Sequence, residues 1–124
     1  MEETKSIVAN KSKDFAIRII SLYKYLKDYK QEYVLSKQLL RSGTSIGANV
    51  SEALAGYSKR EFLAKMYIAY KEGCETRYWL ELLNRASYID EKEYDSLNSD
   101  CSELIRILSS IPKTVREQLL TPNS

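Results

Sequence analysis

Ala53-Leu54-Ala55-Gly56-Tyr57-Ser58-Lys59-Arg60-Glu61-Phe62 is the stretch on which the fold turns. Gly56-Tyr57 interrupts the apolar periodicity that runs up to it. Ser58 followed three residues later by Glu61 is a capping box, because the hydroxyl and the carboxylate each accept from an amide that a helix start leaves unpaired. One helix therefore ends near residue 55 and another opens at 59. The connection is so short that the two must lie antiparallel.

Upstream, residues 34–55 carry Leu35, Leu39, Ile46, Val50 and Ala53 at helical spacing, with Ser42 completing the stripe. Gly43 and Gly47 lie one turn apart inside it. A glycine there costs roughly 1 kcal/mol against alanine, so the pair marks a close approach by another backbone. Residues 12–30 repeat the pattern with Phe15, Ile19, Leu22, Leu26 and Tyr29, and Gln31-Glu32-Tyr33 forms the connection. The segment up to Lys11 shows no periodicity and is expected to fray.

Downstream, residues 59–87 form the longest expected helix, with Phe62, Met66, Ala69, Gly73, Leu80 and Leu83 as its main stripe. Leu63, Tyr67, Tyr70 and Cys74 make a second apolar flank, and Ile68, Trp79 and Leu82 interrupt the remaining face. One bundle core covers only part of a helix circumference, so a helix apolar on this many sides calls for a further copy of the chain. Asp90 with Glu93 caps a last helix over residues 91–111, built on Tyr94, Leu97, Cys101, Leu104, Leu108 and Ile111. Pro112 is expected to end or kink it, Leu119 and Leu120 to close a short extension, and Thr121–Ser124 to be a loose tail. The expected architecture is all-α: an antiparallel up-and-down four-helix bundle, one domain over residues 1–124 with flexible tails.

The composition agrees. Of 124 residues, 44% are hydrophobic and 29% charged, and four glycines and two prolines leave long helices uninterrupted. Nineteen basic and seventeen acidic side chains give a net charge of +2, so any basic surface must come from arrangement rather than excess. No run approaches the ~18 apolar residues of a membrane span. The Met1-Glu2-Glu3-Thr4-Lys5 start has no signal-peptide character, which sets a cytoplasmic location as the expectation.

The sequence contains no histidine. That removes the commonest general base, the Glu-x-x-His pairs of di-iron bundles and every histidine-containing zinc set. Cys74 and Cys101 alone cannot make a cysteine site; at mid-helix positions they suit small buried hydrophobes. No phosphate-cradling glycine loop is present. The expectation is a protein that is not an enzyme, with no cofactor, metal or small-molecule substrate.

Two polar motifs remain. Arg41-Ser42-Gly43-Thr44-Ser45-Ile46-Gly47-Ala48-Asn49-Val50-Ser51-Glu52-Ala53 is followed by Glu72-Gly73-Cys74-Glu75-Thr76-Arg77-Tyr78-Trp79-Leu80. Together, over about residues 12–111, they resemble the four-helix-bundle family named after proteins encoded within intervening sequences of bacterial large-subunit ribosomal RNA genes. A related branch holds the accessory variability proteins of diversity-generating retroelements. The resemblance implies a ring-shaped homopentamer. In the retroelement branch it also implies contact with a reverse transcriptase and with nucleic acid through basic surfaces.

An antiparallel turn at Tyr57 brings Arg41 level with Glu72 and Glu75, Ser45 with Ala69, and Asn49 with Ala64 and Lys65. The polar set Arg41, Ser45, Asn49, Glu52, Glu72, Glu75 and Trp79 thus reads as a structural seam that fixes helix register, with a ligand-facing role as its alternative. Lys59, Arg60, Lys65, Lys71, Arg77, Arg85 and Arg106 are the candidates for a nucleic-acid-binding patch. The glutamates between them support an ordinary solvated face equally well. The functional expectation is an oligomeric scaffold that binds RNA or a nucleoprotein; the alternative is a protein–protein adaptor without nucleic-acid affinity.

Overall fold

The computed structural model describes residues 2–120, with side chains described as far as Ile111. Four helices follow in order: α1 (Glu2–Asp28), α2 (Leu35–Leu54), α3 (Lys59–Arg85) and α4 (Glu91–Leu120). Each helix packs on its neighbours in sequence, and α4 returns to α1, so the bundle is up-and-down and antiparallel. The α1–α4 contact is the slightest of these seams. The core is filled from all four helices, with Phe15, Ile19, Leu26, Leu39, Ile46, Met66, Leu80, Leu83, Leu97, Leu104 and Leu108 fully buried.

The turn at Tyr57 forms as its residues dictate. Ser58 is extended and its hydroxyl accepts from the Glu61 amide at 3.1 Å, while the Glu61 carboxylate reaches back to the Tyr57 amide at 2.7 Å. Asp90 caps α4 by accepting from the Glu93 amide at 2.8 Å.

Three boundaries differ from expectation. The segment before Lys11 does not fray: α1 starts at Glu2, because Val8 continues the Ser12–Phe15–Ile19 stripe inward and is fully buried. Glu2 and Glu3 also favour that end through the helix dipole, and Lys5 pairs with Glu2 and lies 5.0 Å over the Phe62 ring. Next, α3 stops at Arg85 because Ser87 takes a left-handed conformation (φ 67°), and the Tyr88 amide folds back to the Leu83 carbonyl at 2.9 Å. Finally, Pro112 does not end α4, whose backbone runs on to Leu120. A proline removes one rung of the hydrogen-bond ladder, and the rungs on either side carry the helix through. The expectations for the Leu119 and Leu120 side chains and for Thr121–Ser124 fall outside the described residues.

The glycines of α2 do separate jobs. At Gly43 a Cβ would stand 2.8 Å from the Ile19 side chain, so any other residue there forces Ile19 to shift. At Gly47 a Cβ would meet Ser12 at 3.4 Å, an ordinary contact.

The polar seam and a candidate nucleic-acid interface

Arg41 bridges α2 and α3. Its guanidinium donates to the Glu72 carboxylate at 3.2 Å and to the Glu75 carboxylate, which also accepts from the Trp79 indole N–H at 3.1 Å. The Arg41 side chain is 49% exposed and that of Glu72 20%, so the pair is half-buried rather than sealed. Behind it the Ser42 and Thr76 hydroxyls, both buried, share a hydrogen bond at 2.9 Å. Two seam residues stay on α2: Ser45 donates to the Arg41 carbonyl at 2.5 Å, and the Asn49 amide to the Ser45 carbonyl at 2.8 Å. Glu52, not Asn49, meets Lys65, at 2.9 Å. The long lysine reaches back toward the turn, whereas the short asparagine is taken up by its own helix.

One capping carboxylate escaped the sequence reading. Glu32 lies in the α1–α2 connection, is 7% exposed, and accepts from the Val34, Leu35 and Ser36 amides at 3.1, 2.7 and 2.8 Å. Burial alone would raise its pKa; the backbone donors outweigh that and lower it. The motif has the anion-at-helix-start logic of a cap, but the carboxylate acts from before the expected N-cap. Cys101 is the opposite case. Burial pushes its thiol up to about 12, and it donates to the Gly73 carbonyl at 3.4 Å, as an inert core residue does.

The basic candidates divide. Lys65 is held by Glu52 and Arg85 by Glu81 at 3.2 Å. Lys59, Arg60, Lys71, Arg77 and Arg106 make no ion pair among the described residues. By helical spacing Arg60, Tyr67, Lys71 and Tyr78 form the outward ridge of α3, with Lys59 and Arg77 on its α4-facing shoulder. Tyr67 and Tyr78 are more than half exposed, and the Lys71 ammonium lies 5.6 Å over the Tyr67 ring. Tyr70 stacks on Tyr67 at 6.3 Å from within. Of the glutamates that interleave with these cations in sequence, Glu61, Glu72 and Glu75 are drawn aside in space. Glu61 caps the helix and Glu72 and Glu75 turn to Arg41, while Glu81 stays on the side of the cations, one turn from Arg77 and paired with Arg85.

Among the described residues no helix is long and apolar enough to cross a membrane, and no group of three or more His, Cys, Asp or Glu is placed to hold a metal ion.

Comparison with known proteins fits this architecture. The family model described as 23S rRNA-intervening sequence protein matches residues 4–110. Among solved structures, the chain is similar to a protein of unknown function from the S23 ribosomal protein family of Bacteroides thetaiotaomicron VPI-5482. That similarity stands at 50% identity and a TM-score of 0.87, covering 89% of this chain and 98% of that one. No curated protein matches. A matched span that reaches into all four helices and takes in both polar motifs places this chain in the 23S rRNA-intervening sequence protein family.

Proposed function

We propose that the protein is a non-enzymatic, homo-oligomeric helical-bundle scaffold of the cytoplasm, with five subunits on its family resemblance, that holds RNA or a nucleoprotein on the α3–α4 face. The observation that carries this reading is the segregation of charge around α3. A chain of net charge +2 leaves Lys59, Arg60, Lys71, Arg77 and Arg106 without an ion pair among the described residues, while Glu72 and Glu75 are held by Arg41 and Glu81 by Arg85. Unneutralised cations on one face, rather than net charge, are what draw a phosphate backbone.

Subunit contacts then fall to a face other than the α3 flank of Leu63, Tyr67, Tyr70 and Cys74 that the sequence offered to a further copy. The outer surface between α1 and α2 is lined by Ala9, Ala16, Thr44, Gly47, Ala48 and Leu54, with Lys13 as the charge among its lining residues. Small and apolar side chains of this kind allow close helix packing between copies.

Two measurements test the proposal. Light scattering at micromolar concentration should give a multiple of the 14.3 kDa chain mass, and a monomer would overturn the scaffold. Binding of a labelled RNA should weaken steeply with added salt, with a log–log slope of roughly −2 to −3 per protomer for a few phosphate contacts. Salt-insensitive capture of a protein partner, with no RNA bound at low salt, would favour the adaptor instead.

A further inference from the structure

Resting on the nucleic-acid reading of the α3 ridge, we infer that its ligand is a single strand whose bases stack on Tyr67 and Tyr78. Both rings stand more than half in solvent on the same ridge. Each ring is braced from its own helix. Tyr67 stacks on Tyr70 with the two planes 25° apart, and Tyr78 lies edge-on to Trp79 with centroids 5.1 Å apart. A braced ring gives up little rotamer freedom when a base lands on it, which is the condition for a stacking platform.

The spacing suits a strand. Tyr67 and Tyr78 are separated along the helix by about 16 Å at 1.5 Å per residue. That distance spans about five nucleotides at a stacked spacing of roughly 3.4 Å. Lys71 sits between the two rings and Arg77 beside the second, so cations lie where the intervening phosphates would pass. Past Tyr78 the ridge meets the Glu81–Arg85 pair, and the α4 shoulder turns acidic at Glu91 and Asp95, which closes the basic track. A duplex hides its base faces inside the helix, and a convex ridge one helix wide offers it charge but no stacking.

The test uses the full chain and a fluorescein-labelled ten-nucleotide oligouridylate, read by anisotropy at low salt, with an RNA duplex of equal length as competitor. Tyr67→Ala and Tyr78→Ala should each weaken binding about tenfold, Tyr67→Phe should bind as the parent does, and the duplex should compete poorly. Both tyrosines are exposed, so these variants keep the fold, and circular dichroism checks that. If the alanine variants bind normally while Lys71→Glu and Arg77→Glu abolish binding, or if the duplex competes equally, stacking is wrong and the charged ridge stands alone. If no nucleic acid binds at all, both this inference and the reading beneath it fall.

Discussion

Glu32 shows how much one side chain can fix. Its carboxylate satisfies three amides at the start of α2 that no side chain within the helix caps. Glu32→Gln keeps the shape and removes the charge, so it should cost about 1–3 kcal/mol at neutral pH in urea unfolding. The pH dependence has a definite sign. The folded-state pKa is lowered, so the unfolded chain binds the proton more readily. The stabilisation is therefore full above the unfolded pKa and is lost as pH falls through the folded one. Parent and variant should converge in acid, and a gap that stayed constant down to pH 2 would refute the charged cap. Nothing in the local pattern announced this role. Gln31 takes a left-handed φ of 53°, and that reversal swings Glu32 under the next helix. The Glu32 amide closes the turn by donating to the Leu26 carbonyl at 2.9 Å, a backbone bond that no particular side chain announces.

At the scale of the elements, the two glycines of α2 make opposite predictions. Gly43→Ala forces a methyl against Ile19 and should cost about 1–3 kcal/mol by overpacking. Gly47→Ala meets ordinary contact distances and should gain up to about 1 kcal/mol of helix propensity. Thermal melts of both variants check the pair, and equal shifts would contradict it. The seam beside them is half in water, so Arg41→Ala and Glu75→Ala should each cost only about 1 kcal/mol, with the double variant losing less than the sum. A double-variant loss equal to the sum would mean that the two side chains act independently. The helices themselves were legible because their apolar spacing and caps agree: Ser58 with Glu61 and Asp90 with Glu93 cap the positions their types suggest. The pairing of Arg41 with Glu72 and Glu75 was legible too, since an antiparallel turn fixes which residues come level. The ends of the chain were not. Val8 is a single buried residue in a polar run, and Pro112 reads as a stop in sequence although the helix continues through it. The antiparallel register also draws Glu72 and Glu75 away from the cations with which they alternate along the chain, a separation that linear order alone conceals.

For the whole molecule, the α1–α4 seam differs in kind from the others. It joins the first helix to the last and makes the slightest contact of the ring. Two bridges cross it: Lys11 to Glu103 at 2.9 Å, and Arg18 to Asp100 at 2.6 Å, with Ser96 also accepting from Arg18. A groove of about 510 Å³, lined by Ile17, Leu22, Tyr25 and Ile89, opens along it. The Arg18–Asp100 contact spans 82 residues of sequence, whereas the α2–α3 hairpin closes through a tight turn. Loop closure over such a distance is entropically late, so the hairpin of α2 and α3 should organise the transition state and α1 should dock on α4 after it. Arg18→Ala would then leave the refolding rate nearly unchanged and speed unfolding, while Ile46→Val in the hairpin would slow refolding. Stopped-flow chevrons of the two variants would show it, and a slowed refolding arm for Arg18→Ala would reverse the order. The slight seam thus makes the bundle a ring with a latch. Closing it sets how long the folded state lasts, and has little influence on how quickly that state is reached.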